Sequence, residues 1–223
     1  MTAIPSTPSL AQILIRIHRV ITRGLYTSLI KGTEYLGQGD PKLEIIQGYA
    51  RYVHCLTEVL SAHHKGEDLI TFPAFMKYLP SAPYAQLSAD HHAVEKLLSN
   101  LPEATENISN EPSGSGLEVI VANLEKLTAI WEPHILLEEH YFSKEAINAA
   151  INKDEQLRIG EASAKHSQEH AAPPYWVVPF ILYNLEPKER AIMAANFPPM
   201  VINELIPTVW KDEWTPMKPF LLD

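Results

Sequence analysis

Two pairs of side chains in this sequence have the types and spacing of metal ligands. His63 is followed four residues later by Glu67, and His134 is followed four residues later by Glu138. On an α-helix, residues four apart differ by about 40° around the axis and roughly 6 Å along it, so both side chains of a pair can reach one point. Imidazole and carboxylate ligands without thiolate suit iron, manganese or zinc. The two pairs therefore predict a shared metal site.

These pairs continue two apolar stripes of helical period. Core-facing positions of a helix recur at alternating steps of about three and four residues. One stripe is Ile46, Tyr49, Val53, Leu56, Leu60, His63, Glu67 and Ile70, and the other is Leu117, Ile120, Leu124, Leu127, Trp131, His134, Glu138 and Tyr141. Two further apolar stripes contain His18 and His91. All four predicted helices therefore direct a histidine into the core.

Six ionisable groups in one core need a cation to compensate them. A single buried histidine is commonly satisfied by a hydrogen bond to backbone or water, and for His18 alone that would be the better interpretation. Burying an unpaired carboxylate costs several kcal/mol. Burying all six ionisable groups would cost more than a net stability of roughly 5 to 15 kcal/mol. Bundle cores with inward Glu and His commonly hold metal pairs. Glu67 and Glu138 are the predicted bridges between two metals.

Four long helices and a fifth, shorter one are predicted to position these residues. The start signals Thr7-Pro8 and Asp40-Pro41, together with proline and glycine breaks, delimit them. The expected spans are 8 to about 36, 41 to just before Pro73, 84 to about 104, 117 to about 151 with a bend at Pro133, and 155–170. Residues 105–116 are predicted to be a flexible connection. The predicted fold is all-α, an antiparallel up-down four-helix bundle.

The C-terminal part of the chain differs in composition from the bundle. Nine of the 18 prolines follow residue 172, and they interrupt segments that are too apolar to remain in solvent. We therefore expect short helices packed on the bundle. The predicted division is a bundle over residues 1–152 and a C-terminal helical extension, residues 153–223, that caps it.

Charge and cysteine content exclude several classes of function. The net charge of −9, without a Lys/Arg-rich run, argues against binding to nucleic acid or anionic lipid. The apolar N-terminal stretch is interrupted by charged residues, so it predicts neither a signal peptide nor a membrane span. Cys55 is the only cysteine, which excludes an intrachain disulfide. The sequence predicts a cytoplasmic protein.

The ordered set of these motifs resembles the hemerythrin-like, or HHE cation-binding, family. The resemblance covers about residues 9–150. It rests on Ile17-His18-Arg19, His63-His64-Lys65-Gly66-Glu67-Asp68 with Phe72-Pro73, Asp90-His91 with Leu97-Leu98, and His134 with Glu138-Glu139. It implies a four-helix bundle with a bridged pair of non-haem irons that binds dioxygen or a related small diatomic molecule. Carried over by position, the implied ligands are His18, His63, Glu67, His91, His134 and Glu138.

Two positions depart from the pattern of the oxygen-carrying members. Those proteins have a second histidine four residues after the one on the third helix, where this chain has Glu95. Their last pair ends in an aspartate five residues after the histidine, where this chain has Glu138 at four and Glu139 at five. Glu95 and Glu139 are thus additional candidates, as ligands or as partners of ligands. More carboxylate and fewer imidazoles favour oxidation chemistry over reversible oxygen carriage.

Other histidines have ordinary explanations. His64 and His92 adjoin proposed ligands, but an adjacent helical residue is rotated by about 100°, so we expect both to point away, to the surface or to a position behind the ligands. His166 and His170 have ligand spacing without a third ligand nearby and are predicted to lie on a solvated face. His54 is predicted to be structural.

The sequence leaves three functions open. The first is a metal protein that senses, stores or binds iron, dioxygen or nitric oxide. The second is a diiron oxygenase or peroxidase acting on a small organic substrate held by the C-terminal extension. The third is a bundle without metal. A cavity opening onto the metals would favour the enzyme, and a solidly packed extension would favour binding or sensing.

Overall fold

The fold is built from helices throughout the described chain. We analysed a computed structural model, which describes residues 9–38, 41–110 and 114–223; over these residues it contains no β-strand. The α-helices are α1 (Leu10–Gln38), α2 (Leu43–Gly66), α3 (Phe72–Phe75), α4 (Tyr84–Leu98), α5 (Leu101–Asn110), α6 (Gly114–Tyr141), α7 (Lys144–Ala150), α8 (Lys153–His170), α9 (Pro174–Tyr183), α10 (Pro187–Ala194) and α11 (Lys211–Trp214). Two π-helical segments (Glu67–Thr71 and Val201–Val209) and a 3-10 helix (Thr215–Phe220) complete them.

The long helices pack around a common core. Helix α1 packs on α2 and α6, and α4 with α5 fills the other side of the ring between α2 and α6. The two predicted stripes are buried from Ile46 to Glu67 and from Leu117 to Glu138, whereas their last members, Ile70 and Tyr141, are only partly buried. The all-α prediction is confirmed. The antiparallel up-down order stays a prediction.

The α-helix α2 ends at Gly66, before Pro73 as the sequence predicted, but the helical path of the chain does not stop there. It continues through the π-helical turn Glu67–Thr71 into α3, and the backbone N–H of Phe72 donates to the carbonyl of Glu67. The wider turn accommodates a proline ring that would clash in a regular α-helix. Because π-turns often mark functional sites, the position of this one at Glu67 is informative.

Two predicted boundaries were wrong. The residues 105–110, expected in a flexible connection, belong to α5, because Leu101, Ala104 and Ile108 form a buried stripe that stabilises an otherwise polar helix. The fourth helix ends at Tyr141 rather than near 151, since Ser143 caps a new helix by accepting from the N–H of Ala146. The start signals at Thr7-Pro8 and Asp40 lie outside the described residues.

The segment after residue 152 is helical and packs on α1 and α2. Helix α8, which Asn152 caps, matches the predicted fifth helix closely. Arg23 of α1 donates to the carbonyl of Phe220 at 2.8 Å and to the side chain of Asn184. At Gly48 of α2, a Cβ atom would lie 2.1 Å from the carbonyl oxygen of Pro216, so this close approach requires glycine. The predicted division at residue 152 is not tested by these contacts and stays a prediction.

Among the described residues, every helix is too short or too polar to cross a lipid bilayer.

Candidate metal centre

The structure brings the six predicted residues together inside the bundle. Ligand atoms of four of them lie within 4.8 Å of one another, and so do those of a second group of three histidines. The first group is His18, His63, Glu67 and Glu138, and the second is His64, His91 and His134. All seven side chains are buried. Each of the helices α1, α2, α4 and α6 contributes to them, and each group has enough donor atoms to hold one metal ion.

The two buried glutamates connect the groups. Glu67 Oε2 lies 3.3 Å from His63 Nε2 and 3.5 Å from His91 Nε2. Glu138 Oε2 lies 3.3 Å from His18 Nε2 and 3.6 Å from His134 Nε2. Each carboxylate therefore faces one imidazole of each group. This is the arrangement that a carboxylate bridging two metals needs.

The donor atoms lack other partners. Both carboxylate oxygens of Glu67 and of Glu138 are buried without a hydrogen bond to any described residue, and so are Nε2 of His18 and Nε2 of His63. Buried polar atoms in folded proteins are nearly always satisfied, so a cluster without partners requires an explanation. A cation among these atoms would satisfy them, and the donor set fits one.

Electrostatic interactions within the cluster shift the pKa values of its members in opposite directions. Burial opposes protonation of His18, but Glu138 and Glu139 outweigh it and raise its pKa to about 9. Burial and the neighbouring Glu138 raise the pKa of Glu67 well above its usual range. Burial would raise the pKa of Glu138 too, but His18, His63 and His134 bring it below the usual range. Burial lowers the pKa of His63, which keeps its ring uncharged. Protons thus neutralise the site where no cation does.

Three further carboxylates lie behind the imidazoles, and we call Glu139, Asp68 and Asp90 the outer carboxylates. His18 Nδ1 donates to Glu139 Oε1 at 3.0 Å. Asp68 Oδ2 lies 3.1 Å from His91 Nδ1, and Asp90 Oδ2 lies 3.4 Å from His134 Nδ1. A carboxylate beside Nδ1 favours the tautomer with the proton there, which leaves the Nε2 lone pair free for a metal.

We expect the outer carboxylates to strengthen metal binding without being essential for it. Partners of this kind typically contribute about 10- to 100-fold in metal affinity. Asp68→Asn and Glu139→Gln should each weaken binding by that factor, as measured by competition with a chelator of known affinity. Glu118→Gln, an exposed position on α6, is the matched control. Unchanged affinity in both outer variants would contradict this role.

Aromatic side chains enclose the centre. The ring of Trp131 lies 5.8 Å from that of His18 and 6.0 Å from that of His134, and its Nε1 donates to Thr22 Oγ1 at 2.9 Å. The ring of Phe72 stacks on that of His91 at 5.3 Å. These walls exclude water, which strengthens every electrostatic interaction inside.

The sequence-based expectations for the neighbouring residues had mixed outcomes. His64 was expected at the surface or behind the ligands; it is 1% exposed and belongs to the second group. His92 is exposed, as predicted. Glu95 pairs with Lys65 at 3.1 Å and is in neither group.

The remaining histidines lie outside both groups. His166, expected on a solvated face, is instead buried beside Gly66, while His170 is exposed. His54 contacts the carbonyl of Ala172 at 3.3 Å. His64, Asp68 and Asp90 are the side chains that the sequence did not assign a role. The sequence feature that could have identified them is adjacency to a proposed ligand. When a helix is packed on several sides, the residues beside its core stripe face the next helix.

Comparison with known families agrees with this geometry. Neither the curated proteins nor the solved structures contain a significant match to the chain. The family model described as the hemerythrin HHE cation binding domain matches residues 9–146, more than half of the chain, and this segment carries both groups. The chain therefore belongs to the hemerythrin HHE cation-binding domain family.

Proposed function

We propose that this protein is a non-haem diiron protein that binds dioxygen or a related small diatomic molecule, in sensing, storage or binding. In this proposal the metal ligands include His18, His63, Glu67, His91, His134 and Glu138. The observation that supports it best is the pairing of each buried glutamate with one imidazole from each group. Two metals bridged by two carboxylates would use every one of these contacts. Manganese or zinc would fit the same donors.

The chain's own residues prepare the site for a redox metal. Imidazole Nε2 atoms face the buried glutamates, and the outer carboxylates hold three of the rings in orientation. Trp131 and Phe72 exclude water, so a small apolar molecule is the kind of ligand that reaches the centre without a hydration cost. Bound ferrous iron would supply the electrons that dioxygen chemistry needs.

Two cavities at the surface bear on the choice between a small ligand and an organic substrate. One, of about 850 Å³, is formed by α2, α5, α9 and the 3-10 helix Thr215–Phe220, and the other, of about 280 Å³, by α3, α8 and the π-turn between α2 and α3. Neither is lined by a member of the two groups. A diiron oxygenase or peroxidase acting on an organic substrate, the second candidate, would need such a lining.

The C-terminal extension, residues 153–223, is proposed to support the bundle. Its hydrogen bonds from Arg23 and its close approach at Gly48 involve α1 and α2, which carry two of the six proposed ligands, His18 and His63. Cys55 is buried and forms no disulfide, which suits a reducing compartment. We propose that the protein is located in the cytoplasm.

Metal analysis together with optical spectroscopy tests the proposal. Protein loaded anaerobically with Fe(II) should contain two irons per chain, and exposure to air should produce the absorption of a bridged ferric pair near the edge of the visible range. Parallel loading with Mn(II) and Zn(II) ranks the metals. Fewer than one metal per chain with all three ions would contradict the proposal, and would favour the bundle without metal.

A further inference from the structure

The second group contains an imidazole that neither the helical stripes nor the family resemblance assigned to the metals. The ring of His64 stacks on that of His91, with centroids 3.9 Å apart and planes at 15°. It meets the ring of His134 edge-on at 5.3 Å. One of its nitrogens lies within 4.8 Å of donor atoms of both His91 and His134. His64 thus stands beside the same point as two proposed ligands.

The nitrogens of His64 have no other use in the described structure. Both Nδ1 and Nε2 are buried and lack a hydrogen-bond partner. An imidazole that only filled space would leave a buried donor and a buried acceptor unsatisfied, whereas a leucine or phenylalanine would leave none.

Without His64, the second group has fewer ligands of its own than the first. The stripes supply it with two imidazoles, whereas the first group has two imidazoles and two carboxylates. Glu95 lies one turn beyond His91, but its Oε2 is directed to Lys65 at 3.1 Å and the residue is not in the group. Helix α2 therefore offers, at His64, a third imidazole, whereas α4 has Glu95 one turn beyond His91.

We propose that His64 is the third imidazole ligand of the metal that His91 and His134 hold. The inference rests on the proposed metal centre. It assigns three imidazoles to one metal and two to the other, with Glu67 and Glu138 shared between them. Such an asymmetric pair has chemically different metals, of which the His64 side carries the larger number of neutral ligands.

Cobalt(II) is the probe that tests this assignment, because its visible absorption reports the number and type of its ligands. Metal-free full-length protein is titrated anaerobically with Co(II). The original sequence should bind two equivalents. His64→Ala should bind one equivalent normally and the second at least about 100-fold more weakly, since even the loss of a ligand's partner costs about 10- to 100-fold.

Two variants separate ligation from packing. His64→Phe keeps a buried ring on His91 but has no nitrogen, and it should lose the second equivalent as His64→Ala does. Imidazole added to His64→Ala should restore that equivalent and its spectrum. His92→Ala, an exposed neighbour of His91, is the matched control and should bind both equivalents. Circular dichroism of the metal-free forms verifies that each variant folds.

The outcomes distinguish this inference from the proposed function. Two equivalents with unchanged affinity and spectrum in both His64→Ala and His64→Phe would overturn the role of His64 and leave the diiron proposal standing. Failure of the original sequence to bind Co(II), Fe(II), Mn(II) or Zn(II) would overturn both.

Discussion

Replacing Glu67 or Glu138 by glutamine should reduce the metal content from two per chain to less than one. Glutamine keeps the volume of the side chain but removes the charge and one of the two oxygens that a bridge requires. Because each carboxylate faces an imidazole of each group, its loss weakens both metal sites at once. We expect affinity to fall by more than roughly 100-fold, beyond the effect of losing an outer carboxylate. Metal analysis after dialysis measures it.

Matched variants locate the effect. His166→Ala removes another buried histidine near α2 and should retain both metals, because His166 is in neither group. Glu139→Gln should weaken binding less than Glu138→Gln, since Glu139 reaches the metals only through His18. Equal loss in His166→Ala and Glu67→Gln would place the site at α8 instead. A larger loss in Glu139→Gln would exchange the roles of the two adjacent glutamates.

Helical periodicity was sufficient to predict the fold class and the burial of the six residues. The two stripes are buried from Ile46 to Glu67 and from Leu117 to Glu138, because an apolar stripe of this length faces the core of a bundle; only their last members, Ile70 and Tyr141, are partly exposed. The start and stop signals of helices were less reliable where tertiary packing determines which residues are helical. Pro73 was predicted to end a helix, but a wider turn accommodates it, and α5 is stabilised by contacts that its polar sequence does not reveal.

The neighbours of the stripes were the harder part of the site. His64 was predicted to point away because it is rotated by about 100° from His63. That reasoning assumes one buried face, whereas α2 packs against α1, α4, α5 and the C-terminal segment, so more than half of its circumference is interior. Asp68 and Asp90 entered the sequence analysis only as parts of the family's motifs, without a role of their own. Which helices surround a given turn is set by contacts distant in sequence, and single-helix periodicity does not contain them.

Removing the metals should destabilise the protein strongly. Ions that bind only the folded state stabilise it by about 4 kcal/mol when their concentration is 1,000 times the dissociation constant. For a chain of this length, 1 kcal/mol corresponds to about 2–4 °C in Tm. We therefore expect chelation to lower Tm by at least roughly 8–16 °C for one tightly bound metal, measured by differential scanning calorimetry. Re-addition of Fe(II) without air should restore it.

The difference in Tm between Glu67→Gln and the original protein should change sign when the metal is removed. With metal present the variant should be less stable than the original protein, because it has lost a ligand. Without metal it should be equally or more stable, because a buried carboxyl beside Glu138 no longer has to be desolvated or protonated. A residue that served packing alone would destabilise both forms alike when replaced. If chelation left Tm unchanged and Glu67→Gln lowered it in both conditions, the buried imidazoles and carboxylates would be structural.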